Sequence, residues 1–383
     1  MKKIFYTGLL GLALFEILKV YFIMPMPGSQ DMNSIDLAYF LFCYRWLFRV
    51  GFGLMIGAGL VAAFQGRGKW VAGIALLLTA AITYLFNFQM MADKMFLQPQ
   101  NKAMQTRAEN KVPETRLIIG VVNNGAASAY PIEYLAYHHQ VQDTIGGKAI
   151  MVTYCSVCRT GRVYEPVVEG VHEKFRLVGM DHFNAMFEDA TTKSWWRQAT
   201  GEAIAGKLKG SVLPEVESRQ MSLDKWLELY PQSLIMQPDE NSIPDYDPDA
   251  NFEQGKSKGS LTRTDTLAWK DKSWVIGVEV NKVSKAYDWM ELKRVGVIND
   301  TVGGSKIVVA VSADGKSFGA FLNPSSENFS LRNDTLICNF IPFDFNGHDL
   351  ILSTNKLKPV NAYQEFWHSW RTFHPATLRY SGN

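Results

Sequence analysis

Three long apolar segments occupy the first hundred residues of the chain. They run from Ile4 to about Met24, from Leu37 to Phe64 and from Val71 to about Met91. Each meets the roughly 20 apolar residues that a helix needs to cross the hydrocarbon core of a membrane. Because two more spans follow the first, a cleaved signal peptide is disfavoured. The pattern predicts a three-helix transmembrane anchor over residues 1–95, in contact with membrane lipid through residues 4–91.

After the anchor, apolar residues occur in short runs rather than at sustained helical spacing. The runs are rich in β-branched residues and bounded by Gly or Asn, as is typical of strands: Leu117–Val122, Ala149–Tyr154, Trp274–Val280 and Lys306–Val311. Short helices are predicted at 132–138 and 289–294. The motif Asp-Thr-x-Gly-Gly precedes two of the strands and predicts a turn, since Gly adopts positive φ without steric cost. We therefore expect a β-rich α+β soluble region behind the transmembrane helices.

The soluble part repeats itself without gaps. Gly120 corresponds to Gly277, and Gly147 to Gly304, a shift of 157 residues in both cases. The first set is Ile119-Gly120-Val121, Asn124, Ala129-Tyr130, Leu135, Asp143-Thr144 and Gly146-Gly147, and the second is Ile276-Gly277-Val278, Asn281, Ala286-Tyr287, Leu292, Asp300-Thr301 and Gly303-Gly304. The period is too long for a solenoid, so two homologous halves are predicted. We expect a linker over 96–111, a first repeat over 112–240, an exposed connector over 241–259 and a second, degenerate repeat over 260–383.

The distribution of charge orients the anchor. The formal net charge is +2 and no long basic run occurs, so nucleic acid is not an expected partner. Lys2, Lys3, Arg67 and Lys69 flank one side of the spans, whereas the loop 26–36 has no Lys or Arg. Because cytoplasmic loops carry the excess of Lys and Arg, the N-terminus is predicted to be cytoplasmic. The soluble domain is then extracytoplasmic, which for a bacterial inner membrane means periplasmic.

Arg45 and Arg49 stand in the second apolar segment, where charges are costly. A helix rises about 1.5 Å per residue, so both arginines are able to extend to the outer interface, beside neighbouring aromatic residues. A functional polar site inside the helix bundle is the alternative interpretation.

Cys155 and Cys158 form a Cys-x-x-Cys motif at the end of a strand-like run. Such a pair is able to close a small disulfide ring, bind a soft metal or stay as two buried thiols. Arg159 follows the second cysteine, and a nearby guanidinium favours thiolate over thiol. At the shift of 157 residues the cysteines correspond to Ser312 and Gly315. The fold therefore does not require the sulfurs, and the first half is predicted to carry the site.

The residues around the motif resemble a known family. They are Thr153-Tyr154-Cys155-x-x-Cys158-x-Thr160-Gly161, Asp189, Ser194-Trp195 and Gly201-Glu202-Ala203-Ile204-Ala205-Gly206, with Asp143-Thr144-x-Gly146-Gly147 upstream and Trp226-x-x-x-Tyr230-Pro231 downstream. Together they are similar to the domain of unknown function 3179 family, clearly over about 112–240 and as a degenerate copy in the second half. The family has no established activity. The resemblance implies that selenocysteine replaces a motif cysteine in some relatives, which favours redox chemistry over structural bracing.

The preferred hypothesis is a membrane-tethered thiol/disulfide redox protein, a possible thiol-disulfide oxidoreductase. One of Cys155 and Cys158 forms a mixed disulfide with an unknown protein or small thiol, and the other resolves it. The residues predicted to support this chemistry are Tyr154, Arg159, Asp189, Trp195 and Glu202. Asp189 and Glu202 are candidate proton carriers, and Tyr154 is expected to shield Cys155.

Two alternatives remain open at this point. The first is a copper-binding module in which Met180 and His182 join the two thiolates, because soft sulfur ligands select Cu(I). The second is a non-enzymatic scaffold in which a disulfide braces a turn. Elsewhere, His138 and His139 are predicted to lie at the surface, and Cys338 to be a buried thiol.

Overall fold

The computed structural model describes residues 1–65, 68–325, 327–352 and 355–382. The chain forms two compact units. The first comprises 1–97, 173–197 and 202–212, and the second comprises 98–172, 198–201 and 213–383. Arg67, used above to orient the anchor, lies outside the described residues.

Helices and strands are numbered along the chain. The helices α1 to α9 span Lys2–Tyr21, Ile35–Cys43, Arg45–Phe64, Lys69–Tyr84, Ala92–Met95, Ile132–His138, Leu223–Leu229, Trp289–Val295 and Trp367–Phe373. A π-helix at Leu85–Gln89 continues α4, and 3-10 turns lie at Ser29–Asp31, Arg107–Glu109 and Glu240–Asp245. The strands β1 to β24 span Met104–Gln105, Leu117–Asn123, Ala126–Pro131, Gln140–Ile145, Lys148–Cys155, Thr160–Tyr164, Val167–Val168, Val171–His172, Phe175–Asp181, Asn184–Asp189, Trp195–Arg197, Ala203–Ala205, Ser218–Ser222, Leu234–Met236, Trp274–Val280, Val283–Asp288, Val297–Val302, Ser305–Val311, Phe318–Leu322, Ser330–Arg332, Thr335–Cys338, Ile341–Phe343, Ala362–Phe366 and Leu378–Arg379.

Three helices of the first unit are long and apolar enough to cross a membrane: Lys2–Tyr21, Arg45–Phe64 and Lys69–Gln89. Only 11% of the apolar window of each of the last two is buried, as expected for helices that face lipid. The predicted second span is interrupted at Tyr44, because α2 ends just before it and α3 begins just after it. The three apolar helices are compatible with membrane anchoring.

The first unit also contains a four-stranded sheet of order β12-β11-β10-β9. Met180 N in β9 donates a hydrogen bond to Ile23 O (2.7 Å), just after α1. Trp195 in β11 is fully buried and packs edge-on against Tyr39 of α2, with 5.1 Å between ring centroids. Segments 173–197 and 202–212 therefore pack with the N-terminal helices, although they lie within the predicted first repeat.

The second unit shows the same order of elements twice. The bounds of β15, β16, α8 and β17 are those of β2, β3, α6 and β4 shifted by 157 residues. In each half a late strand pairs antiparallel with the first strand, β13 with β2 and β23 with β15. A last strand then pairs in parallel with the second, β14 with β3 and β24 with β16. This repeat of local structure supports the hypothesis of two homologous halves, whose common origin stays a prediction.

Glycines at two places explain why the repeated elements fold as they do. A methyl group at Gly120 in β2 would lie 2.3 Å from the Trp226 ring of α7, so only Gly lets this helix rest on the strand. Gly146 and Gly147 have φ of 52° and 82° between β4 and β5, as a two-residue hairpin turn of type I′ requires. The turn predicted from Asp-Thr-x-Gly-Gly is confirmed.

Two predictions about exposure are wrong. His138 and His139 are 0% and 2% exposed, because α6 turns them into the core of the first half. His138 Nε2 lies 2.8 Å from Tyr246 Oη. The connector is not exposed throughout either, since Tyr246 and Glu253 are buried within it and Tyr246 packs against Tyr134 with 4.6 Å between ring centroids. The connector thus completes the core of the first half.

Candidate functional site at the Cys155–Cys158 turn

Cys155 and Cys158 lie at the tight connection between β5 and β6. β5 ends at Cys155, which pairs with Thr160 at the start of β6. Arg159 completes the turn with a positive φ of 57°. Both cysteine side chains are fully buried, and no disulfide joins them. The expectation that a strand precedes the motif is confirmed.

Residues of the second half close over this turn. Lys272 Nζ donates a hydrogen bond to Val157 O (2.8 Å), between the two cysteines. His368 Nε2 lies 3.1 Å from the same carbonyl oxygen and 3.1 Å from Lys272 Nζ. Phe366 N donates to Cys158 O (2.9 Å). Side chains and backbone that follow residue 260 therefore hold the motif in place.

Lys272 and His368 lie side by side at Val157 O. Lys272 Nζ is within hydrogen-bond distance of Val157 O, Leu261 O (2.6 Å) and His368 Nε2, and His368 Nε2 also lies near Val157 O. Burial, followed by the charge of Lys272, lowers the pKa of His368 to about 4. The imidazole is therefore neutral at pH 7.

Lys272 is the cation whose charge acts on the two sulfurs. Burial lowers the pKa of Lys272, and negative charge on Cys158 and Cys155 acts in the opposite direction. The attraction is mutual, so a protonated Lys272 favours the thiolate forms over the thiols. The first half supplies the sulfurs and the second half supplies the positive charge.

The Arg159 guanidinium anchors the connector. It donates to Phe252 O (2.9 Å) and Glu253 O (3.0 Å), and to Gln364 Oε1 (3.1 Å) in β23. Its carbon Cζ lies 3.4 Å from the ring centroid of Trp274. Arg159 also lines a cavity of about 380 Å³ in the second unit. Arg159 thus connects the motif to both halves of the second unit and to this cavity.

A buried ion pair lies at the start of β6. Arg162 Nη2 and Glu365 Oε1 are 2.5 Å apart, and both side chains are at most 2% exposed. Thr160 Oγ1 and Ser369 Oγ donate to the two oxygens of Glu365 at 2.8 and 2.9 Å. The Glu365 carboxylate is therefore satisfied by groups from both halves, which fixes β6 and the turn before it.

Tyr154, predicted to shield Cys155, precedes it in β5 and is fully buried. Successive side chains of a strand point to opposite faces, so the shielding stays a prediction. Burial raises the pKa of the phenol, and its hydroxyl oxygen has no hydrogen-bond partner among the residues that the structure describes. A phenol that stays protonated and lacks a partner does not relay protons.

The other predicted site residues lie in the first compact unit, and the cysteines lie in the second. Asp189 organises a turn by accepting hydrogen bonds from Thr192 and Ser194, and Glu202 forms an ion pair with Arg197 (3.3 Å). Trp195 packs against α2, as described above.

Met180 and His182, the copper ligands of the alternative hypothesis, also belong to the first unit. His182 Nδ1 lies 2.6 Å from Asp181 Oδ1, and this hydrogen bond raises the pKa of the imidazole. Within the described ranges, no group of three or more His, Cys, Asp or Glu side chains is arranged to hold a metal ion.

Sequence reasoning missed Lys272, His368 and Glu365. The only available signal was a difference between the two copies. The shift of 157 residues relates Lys272 to Thr115, and the shift of 144 residues that relates Trp370 to Trp226 relates His368 to Asp224. A position occupied by chemically different residues in the two repeats is a candidate for a function that only one repeat performs.

Comparison with known proteins places the chain in a family. Neither the comparison with curated proteins nor that with solved structures gave a match. The family described as "Protein of unknown function (DUF3179)" matches residues 98–377, which is most of the chain and includes both halves of the second unit. The expectation from the Cys-x-x-Cys surroundings is thereby confirmed, and its extent is larger than the clear resemblance over 112–240. The chain belongs to the DUF3179 family.

Proposed function

We propose that this protein is a membrane-tethered thiol/disulfide redox protein that uses Cys155 and Cys158. The observation that supports the proposal is the position of Lys272, whose ammonium group lies against the turn between the two sulfurs. A cation beside a cysteine pair favours the thiolate, which is the nucleophile in thiol–disulfide exchange. A disulfide that only braces a turn does not require a buried cation beside it.

The proposed reaction is a two-electron exchange. One thiolate attacks a sulfur of a partner disulfide, a mixed disulfide forms, and the first partner thiolate leaves. The second cysteine of the pair, as thiolate, then attacks the mixed disulfide and releases the other partner thiolate. Cys155 and Cys158 are oxidised to a disulfide, and the partner disulfide is reduced to two thiols.

Burial sets the conditions for this exchange. Both sulfurs are 0% exposed, so a partner reaches them through local opening of the turn or as a small thiol or disulfide. Arg159 connects the turn to the cavity of about 380 Å³, which offers a route for a small molecule. We expect slow exchange with large reagents and faster exchange with small ones.

The proposed location is the extracytoplasmic side of a bacterial inner membrane, with a cytoplasmic N-terminus. Lys2, Lys3 and Lys69 lie at one end of the apolar helices, and Lys and Arg are enriched in cytoplasmic loops. An oxidising compartment suits a protein that cycles between a dithiol and a disulfide.

The first test measures the reduction potential of the pair in the full-length protein carrying Cys43→Ser and Cys338→Ser. The protein is equilibrated in graded redox buffers, quenched by alkylation and analysed by mass spectrometry. We expect a single two-electron transition above about −300 mV, because structural disulfides lie below that value. Lys272→Met should lower the potential by about 30 mV for each tenfold loss of thiolate stabilisation, since it removes the charge that stabilises the reduced form.

Lys316→Met is the matched control. Lys316 Nζ also donates to a backbone carbonyl, that of Thr115 (2.8 Å), but it does not act on the sulfurs in the way Lys272 does. Its potential should equal that of the parent. A transition below −300 mV, or equal potentials for the parent and Lys272→Met, would favour the structural disulfide. Stoichiometric copper that protects both thiols from alkylation would favour the metal-binding alternative.

A further inference from the structure

A cavity of about 480 Å³ lies in the first compact unit. It is found where α1 ends, α3 begins and α4 continues into the π-helix, with β9 and β10 contributing to its wall. Its lining is dominated by cations: Lys19, Arg45, Arg49, Lys94, Arg176 and Lys193. The volume falls within the range of about 300–1,000 Å³ that is typical of small-molecule sites.

At the floor of this cationic cavity, one carboxylate serves two cations. Glu16 lies 2.7 Å from Arg49 Nε and 2.9 Å from Lys19 Nζ. Asn87 Oδ1 accepts from Lys19 at 2.5 Å and from Arg49 at 2.6 Å. Asn87 belongs to the π-helix Leu85–Gln89, and such bulges occur frequently at functional sites. Two cations on one carboxylate leave the floor with excess positive charge.

The rim of the cationic cavity also carries excess positive charge. Arg176 is neutralised, because it lies 2.8 Å from Glu188 and 3.4 Å from Asp93. Arg45 donates to Phe42 O at 2.6 Å and stacks over the Phe42 ring at 4.2 Å. Among the residues that the structure describes, Arg45, Lys94 and Lys193 form no ion pair. The six cations of the cavity and the carboxylates of Glu16, Asp93 and Glu188 therefore leave an excess of three positive charges.

We propose that the cationic cavity binds a phosphate group carried by an anionic ligand. Uncompensated cations repel one another in a confined space, and an anion removes that repulsion. The planar fork of arginine matches phosphate oxygens, and several cations suit an anion with multiple acceptor atoms better than a single carboxylate. The cavity lies at the ends of apolar helices, which is the level of lipid headgroups, and basic pockets between such helices bind them.

A lipid headgroup and a small soluble phosphate share this chemistry. The proposal assigns Arg45 as the forked donor, with Lys94 and Lys193 as point charges at the rim, because Nε and Nη2 of Arg49 are already bound to Glu16. The proposal is independent of the thiol chemistry of the second unit. It replaces the expectation that Arg45 and Arg49 only extend to the membrane interface with the hypothesis of a polar site in the helix bundle.

The test uses the full-length protein in a neutral detergent. Binding of dioctanoyl phosphatidylglycerol, of dioctanoyl phosphatidylcholine and of inorganic phosphate is measured separately by calorimetric titration. The variant Arg45→Gln with Lys94→Gln removes two cations that have no ion-pair partner, and should weaken binding by about tenfold for each lost contact. Arg49→Gln is avoided, since it would leave Glu16 with a single cation and risk misfolding.

Lys3→Gln with Lys69→Gln is the charge-matched control, since both residues lie at the opposite end of the helices. It should bind as the parent does, and circular dichroism checks that both double variants are folded. Binding of phosphatidylglycerol alone identifies the lipid source, and binding of inorganic phosphate as well identifies a soluble phosphate. No saturable binding of either anion, equal binding of phosphatidylcholine and phosphatidylglycerol, or equal affinity in both double variants would overturn the proposal.

Discussion

The two thiols of the candidate site share their surroundings with one ammonium group and one imidazole. Lys272 and His368 both face Val157 O, and each is too close to the other for both to be charged without cost. The lowered pKa of His368 is the outcome of that competition, added to burial. Lys272 therefore supplies positive charge that acts on Cys155 and Cys158.

The buried histidines predict that acid destabilises the protein. Burial lowers the pKa of His139 and of His368 to about 4, whereas an unfolded histidine titrates near 6.5. Between these values the unfolded chain binds more protons, so stability is present above pH 6.5 and is lost as the pH falls towards 4. The full effect is about 3 kcal/mol for each histidine.

This effect is measured as the free energy of unfolding in denaturant at pH 7 and pH 5, with near-ultraviolet circular dichroism as the signal. His139→Gln should reduce the difference between the two pH values. His172→Gln is the control, because His172 is exposed, and it should leave the difference unchanged. The same pH dependence in the parent and in His139→Gln would contradict the argument.

The residues of the site differ in how far the sequence predicts them. Cys155 and Cys158 are found from local spacing alone, and the resemblance to DUF3179 adds Tyr154 by position. Lys272 and His368 flank the paired strands β15 and β23, and they contact Val157 O from 115 and 211 residues away in the sequence. No local pattern encodes such a contact, so only the difference between the two copies pointed towards these residues.

At the scale of elements, the corresponding turns of the two halves are held by different contacts. The β5–β6 turn contains the cysteines and is held by Lys272 and Phe366 from outside. The corresponding turn after β18 is held by Asp314, whose Oδ1 accepts from Lys316 N (2.7 Å) and Ser317 N (2.8 Å). The second turn thus has a carboxylate of its own, and it is also held from the first half, where Ser222 N donates to Ser317 Oγ (3.0 Å) and Ser222 Oγ to Asp314 Oδ2 (2.7 Å).

Glu365 in β23 predicts how strongly the halves are coupled. Glu365→Ala leaves Arg162, which is 2% exposed, with the more distant carboxylate of Glu215 (3.8 Å) in place of its close partner, and should cost about 3 kcal/mol of stability. Glu291→Ala breaks the exposed pair with Arg294 and should leave stability nearly unchanged. Equilibrium unfolding of the full-length variants distinguishes the two, and similar losses would show that the Arg162–Glu365 pair is not buried in solution.

The elements themselves were largely predictable where the signal is local. Runs such as 117–122 and 274–280 are β-branched and end at Asn, and the Gly-Gly turns need positive φ, so strands and hairpins follow directly. The sheet β9–β12 was not predicted, because its buried face is completed by Ile23 and Tyr39 from the N-terminal helices. The apolar residues of this sheet can be assigned to a buried face only once the N-terminal helices are known to pack against it.

For the whole molecule, charge asymmetry predicts orientation. Alkaline phosphatase fused after residue 383 should be active, and a fluorescent protein fused before Met1 should be fluorescent, because the first folds only outside the cytoplasm and the second inside. Moving the phosphatase to the connection between α3 and α4 should abolish its activity. The reverse pattern of activities would place the second unit in the cytoplasm and remove the compartment on which the proposed function relies.

The division into units has a consequence for how the chain is made. Residues of the first unit lie at 1–97, 173–197 and 202–212, so the ribosome must synthesise Val212 before that unit is complete. The N-terminal helices are synthesised well before the strands that complete their unit. Along the sequence, the chain alternates several times between the two units. A fragment cut after Leu97 therefore separates Gly179 from Ile23, the residue it packs against, and biochemical work on a clipped "soluble" piece would study a broken assembly rather than a domain.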